Sequence, residues 1–250
     1  MTESYNSLCD TFYTNTILGT GLKMPSDRGT LVSFFERMQK TFPGLNHFVQ
    51  RDREGDPMLR EDPDTGTYRW LSKGANVLAS GYVGPSDPQA AYNFSNAVLE
   101  AAPYYLSISP IDMEYLEIAW GFEFRCKMNH HEIIAEALFG ETTLGQVLSV
   151  PDSKAIGFGV SVAVSVSSDT RTQFRIAVQP RTTVPQIKTG QFVEEPLAII
   201  GILRQWPGQS PRRDLHELHR HLIDIGVPLV EERLIGPIVT PIRQAIARRI

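Results

Sequence analysis

The 250-residue chain has little cysteine: Cys9 and Cys126 are its only two. So small a number rules out a disulfide framework, and both thiols are expected to be reduced in a cytoplasmic compartment. Long hydrophobic runs are missing as well. The longest, residues 197 to 203, has Gly201 inside it and Arg204 and Gln205 after it, far short of the roughly 20 residues a membrane-spanning helix needs. The amino terminus, MTESYNSLCD, has no basic stretch leading into an apolar one, so a secretory signal is not expected. Positive charge is not in excess either: 24 Lys and Arg against 28 Asp and Glu leave a net charge of −4. That balance draws a protein onto neither phosphate backbones nor anionic lipid, so no membrane partner is expected and nucleic acid is disfavoured. What is present is an ordinary globular composition, 42% hydrophobic and 21% charged, which excludes a chain disordered throughout.

Complete catalytic motifs are also scarce. In GTGLKM, Gly19 and Gly21 have the separation of a dinucleotide loop, but Met24 stands where the third glycine belongs. Ser161 in GVSVA lies inside an alternating stretch rather than at a sharp strand-to-helix turn, which is where a hydrolase nucleophile sits. The histidines form the one suggestive group. His216 and His219 are three residues apart, a helical spacing that would make a zinc site if they met His130 or His131. Neither an HExxH pattern nor a close cysteine pair supports this, so no metal and no cofactor is expected. Glu117 and Glu123 share a strand face with Arg125, and such a row either lines a polar groove or forms the wet side of an antiparallel sheet.

Periodicity gives the architecture. Residues 11 to 22 are rich in β-branched and aromatic types and predict a strand. Leu31, Phe34, Phe35, Met38 and Phe42 then recur at helical spacing behind a cap at Ser26. Residues 51 to 66, acidic and interrupted by prolines and glycines, predict a solvated hairpin, followed by short strands at 68–71 and 76–82. Asp87-Pro88 opens a helix that Pro103 should end. In the second half, residues 113 to 126 alternate strictly between apolar and polar or small, and predict the most secure strand. Asn129 caps a short helix that places His130 and His131 on an exposed first turn. Residues 158–166 and 173–178 should pair as a hairpin, with a further strand at 197–206. A helix beginning at Pro211 is expected to break or kink at Gly226 and Pro228, before an apolar tail that includes Ile238, Ile242 and Ile246.

These elements predict an α+β fold. Its expected form is two similar β-α-β-β-β-α units, residues 1–110 and 111–250, as separate domains or as one continuous domain, with antiparallel sheets, helices on one face and a long carboxyl-terminal helical segment. In TFPGL, LEIAWGFEF, GVSVAVSV with FRIAVQP, and DLHELHRHLIDIGVPLVEERL, the layout resembles an uncharacterised, sporadically distributed bacterial family of about this length. The resemblance implies an accessory role, such as defence or toxin neutralisation, and carries over no activity or catalytic residue.

Without a coherent nucleophile, metal or phosphate motif, the expected function is non-catalytic: a protein-interaction or assembly component. It would engage a protein partner or a second copy through the carboxyl-terminal helices, with Ile238, Ile242 and Ile246 as the contact stripe. The alternative is a small-molecule binder similar to helix-grip domains, which needs an enclosed apolar cavity; an enzyme whose site only the fold assembles is the third class. The charge balance yields a prediction. Random duplex DNA, titrated at physiological salt and followed by fluorescence anisotropy, should not bind tightly, and submicromolar, salt-sensitive binding would contradict it.

Overall fold

Phe12, Thr14, Thr16 and Leu18 point into the protein while Thr11, Tyr13, Asn15 and Ile17 point away from it, so the first strand, β1 (Thr11–Thr20), has one covered face. The computed structural model describes residues 5–50, 55–208 and 214–249. After β1 come α1 (Arg28–Thr41), β2 (His47–Gln50), β3 (Pro57–Arg60), β4 (Tyr68–Lys73), β5 (Val77–Val83) and α2 (Pro88–Leu106). The second half supplies β6 (Met113–Cys126), α3 (His130–Ile134), β7 (Val160–Ser165), β8 (Thr172–Gln179), α4 (Val184–Thr189) and β9 (Glu195–Gln205). It closes with α5 (Leu215–Leu229), a wide-turned π-helical stretch (Val230–Val239) and α6 (Thr240–Ala247). The fold is α+β, and the antiparallel strands form one nine-stranded sheet in the order β2-β3-β4-β5-β1-β6-β9-β8-β7. The central strand β6 is buried on both faces from Leu116 to Phe122, and the edge strands β2 and β7 are mostly exposed. Strands from the two halves meet where β1 pairs with β6, Phe12 facing Phe122 and Leu18 facing Leu116.

The helical layer covers one face. Ser95 of α2 accepts a hydrogen bond from Ser80 of β5 (3.1 Å), His219 of α5 meets Thr16 of β1 (3.1 Å), and Leu234 lies against Gly201 of β9. One buried apolar cluster runs through both halves, from Tyr5 and Phe12 to Ile242 and Ile246. Trp120 of β6, fully buried, lies at its middle and donates its indole N–H to the Tyr92 hydroxyl (2.7 Å).

Several expectations are corrected. Asp27, not Ser26, caps α1, accepting a hydrogen bond from the Thr30 N–H (2.9 Å). The hairpin region is more structured than its acidity suggests: Leu59 is buried and β3 pairs with both β2 and β4, while residues 51–54 lie outside the described residues. Pro103 does not end α2, which continues to Leu106 and stops at Ser107 in the left-handed region. An interior proline costs about 3 kcal/mol, and the buried stripe Leu99, Ala102 and Leu106 offsets it.

The expected start at Pro211 lies outside the described residues, α5 being described from Leu215. Gly226 and Pro228 do not break this helix. The chain stays helical from Leu215 to Ala247, with Pro237 inside the π-helical stretch, whose wider hydrogen bonding accommodates the proline. Gly226 is needed because a Cβ there would overlap the Trp120 ring.

This close approach defines a stability test. Trp120→Ala should cost about 3 to 5 kcal/mol by leaving a large cavity, and Gly226→Ala about 1 to 3 kcal/mol by overpacking. Chemical denaturation measures both, and a Trp120→Ala chain as stable as the parent would remove Trp120 from the core.

Candidate functional site

The histidines do not assemble into one site. His219 is fully buried, its Nε2 on the Thr16 hydroxyl and its Nδ1 without a partner. Burial pushes its pKa down to about 3. His216, on the outer side of α5, sits with Asp214 and Glu217, their ligating atoms within 4.8 Å of one another. The zinc pair His216 and His219 is therefore not formed: His219 is turned into the core onto Thr16, while half-buried His216 lies with the exposed Asp214 and Glu217 at the start of α5.

His130 and His131 are buried rather than exposed. His130 Nδ1 accepts the Arg181 backbone N–H (3.1 Å) while Nε2 lies 3.4 Å from the Cys126 carbonyl. His131 Nδ1 lies 2.9 Å from the Phe158 carbonyl and 3.1 Å from its backbone nitrogen, and Nε2 lies 3.3 Å from the Thr182 carbonyl. Both rings thus tie the segment from Phe158 to Thr182 to α3, and burial pushes the His130 pKa down.

The carboxyl-terminal isoleucines are not a free stripe either. Ile242 and Ile246 are buried in the core, and Ile238 is partly buried against it. Arg249 holds the helix end down, pairing with Glu136 (2.7 Å) and Glu132 (3.5 Å). Apolar surface that looked surplus in sequence is consumed by the sheet and by the helical stretch from His130 to Phe139. Ser161 accepts a hydrogen bond from Arg175 (3.0 Å) on a flat strand. Gly19 lies under the Tyr115 ring at the end of β1 and Met24 is buried, while Gly21 to Lys23 form an exposed bend between them.

The helix-free face of the sheet carries the candidate site. Strand register puts Tyr13, Val83 and Tyr68 in one cross-strand row, and Asn15, Gly81 and Trp70 in the next. Tyr13 lies flat over Gly121, and Trp70 and Asn15 lie over Gly81. A side chain at either glycine would lift these groups off the sheet. With Thr11, Glu123, Arg125 and the turn from Pro63 to Gly66, they line a recess of about 450 Å³. The Asn15 Oδ1 is buried there without a hydrogen-bond partner. Burial raises the Glu123 carboxyl above its ordinary value, against the pull of Arg125 and Arg181. The Tyr13 phenol is likewise pushed up, to about 12, by burial, with Glu123 adding to the effect.

Of the polar row expected from sequence, Glu123 and Arg125 line this recess. Glu117 does not; it is buried and paired with Arg204 (Nε to Oε2 2.6 Å), whose guanidinium stacks on Tyr115 (4.6 Å) and Trp206 (5.6 Å). Sequence reasoning missed Tyr13, Tyr68, Trp70 and Asn15. The available signal was a pair of strand-interior glycines, Gly81 and Gly121, which mark close approach. Chemically, the recess offers flat apolar rings, hydroxyl and amide groups and charges of both signs; it holds no nucleophile and base in contact. Compared with protein-family models and with curated proteins, the chain matches none.

The buried histidine makes stability depend on pH. Unfolded, His219 takes up a proton below its ordinary pKa of about 6.5; folded, it stays neutral down to about 3. A depressed folded pKa means that stability is fully present above about 6.5 and is lost as pH falls towards 3, by about 1.4 kcal/mol per pH unit. Denaturation at pH 6.5 and 5 should therefore differ by about 2 kcal/mol more in the parent than in His219→Gln. Equal pH dependence would show that His219 is not held neutral.

Proposed function

We propose that this chain is a non-catalytic interaction component that holds a polypeptide partner against the helix-free face of its sheet. The observation that carries this reading is the recess itself, in which Tyr13, Tyr68 and Trp70 stand partly exposed beside Arg125 and Glu123. Tyrosine, tryptophan and arginine in a shallow, partly desolvated setting are the residue types that dominate binding energy at protein interfaces. Mixed charge favours a polypeptide over nucleic acid: Arg204 is neutralised by Glu117, and Glu123 stands among the arginines. The helix-grip alternative has less support, since Trp120, Leu234 and Phe174 fill the space between sheet and helices. We read the two flanks of the β1–β6 pair as two similar units joined edge to edge, which spreads the binding face across both. Occupying a partner in this way, without turnover, suits an accessory defence or toxin-neutralising role.

Photo-cross-linking in the native host tests the reading. A photoreactive residue in place of Tyr68, at the recess, should give a discrete polypeptide adduct that Trp70→Ala abolishes, whereas the same residue in place of Val32, exposed on α1, should not. Equal adducts at both positions, or an adduct destroyed by nuclease and not by protease, would overturn it.

A further inference from the structure

The sheet ends at β7, which pairs only with β8 among the described residues. Edge strands in natural proteins are commonly blunted by charge, proline, a bulge or shortness. β7 has none of these devices. Residues 160 to 166 read VSVAVSV, uncharged and free of proline, and the pairing with β8 runs from Val160↔Val178 to Ser165↔Gln173 without a register shift. Val162 and Val164, which share a face with the buried Phe174, are 54% and 51% exposed.

The direction of the backbone groups follows from one bond. Just past the strand, the Val166 N–H donates to the Thr172 carbonyl (2.8 Å). In an antiparallel ladder, hydrogen-bonded pairs alternate with non-bonded ones. Val164, Val162 and Val160 therefore bond to β8, and the N–H and C=O groups of Ser161, Ala163 and Ser165 point outwards from the sheet edge.

We propose that β7 is the docking edge for a second copy of this chain, the two β7 strands pairing antiparallel about a two-fold axis at Ala163. Only an extended backbone satisfies a row of alternating donors and acceptors, and this strand is complementary to itself. Two-fold pairing puts Ala163 opposite Ala163, Ser161 opposite Ser165 and Val162 opposite Val164, and every outward group meets its counterpart in about six inter-strand hydrogen bonds. No like charges face each other, and the exposed valines become cross-strand pairs. The contact lies at the sheet edge, apart from the recess, and does not depend on it.

Sedimentation of the full chain from about 1 to 100 µM tests the proposal. The parent should approach twice its 28.0 kDa mass as concentration rises. Ala163→Pro removes an outward N–H and no bond to β8; it should keep the parent's circular dichroism and melting temperature yet weaken association at least tenfold. Should that variant fail to fold, the double variant Val162→Lys and Val164→Lys, which places lysines against lysines across the axis, gives the same test. A parent that stays at 28.0 kDa throughout, or a dimer that persists in these variants, would overturn the proposal.

Discussion

The fold hangs on the antiparallel pairing of β1 with β6. Their contact runs from Thr11↔Glu123 to Gly19↔Tyr115 in unbroken register, with an irregularity only at Thr20. Because side chains alternate along strands, this register determines everything layered on it. The rows Phe12–Phe122, Thr14–Trp120 and Thr16–Ile118 face the helices, while Tyr13–Gly121 and Asn15–Ala119 face the other way. A slip of one residue would exchange the two sets, burying Glu117 and Glu123 beneath the helices and sending Trp120 to the recess side.

The helical layer is tied to that pair by a few polar contacts inside an otherwise apolar core. His219 meets Thr16, Ser80 meets Ser95, and Trp120 meets Tyr92. Each joins a strand to a helix at one position, and a buried polar group that loses its partner is costly. Such contacts specify how the helices sit on the sheet more than they add to net stability. They also account for the helical path through Pro228 and Pro237: the helix has to keep Leu222, Leu234, Ile242 and Ile246 over one sheet. With that face sealed, Tyr13, Tyr68 and Trp70 of the opposite face are left partly exposed.

Much of the fold was legible in sequence because it rests on local patterns. The alternation in β6, the Asp87-Pro88 start of α2 and the β7–β8 hairpin all appear where period and turn chemistry put them. Errors arose where tertiary packing overrode local rules. Pro103 read as a helix stop, Pro228 as a break or kink, and His130 and His131 as an exposed turn, because burial against residues distant in sequence has no local signature. The isoleucines of the tail looked surplus for the same reason. The recess was illegible for a different one: Tyr13 and Trp70 come from strands separated by β5, and only the sheet order brings them together.

The central claim is that one face of the sheet is sealed by the chain's own helices and the other is kept for a partner. Hydroxyl-radical footprinting read by mass spectrometry, on the free chain and on the complex recovered from its host, addresses both parts together. The account predicts that Tyr13, Tyr68 and Trp70 are oxidised in the free chain and protected in the complex, with Trp120, Ile242 and Ile246 protected in both. Oxidation of Ile242 and Ile246 in the free chain that disappears in the complex, with Trp70 unchanged, would contradict it.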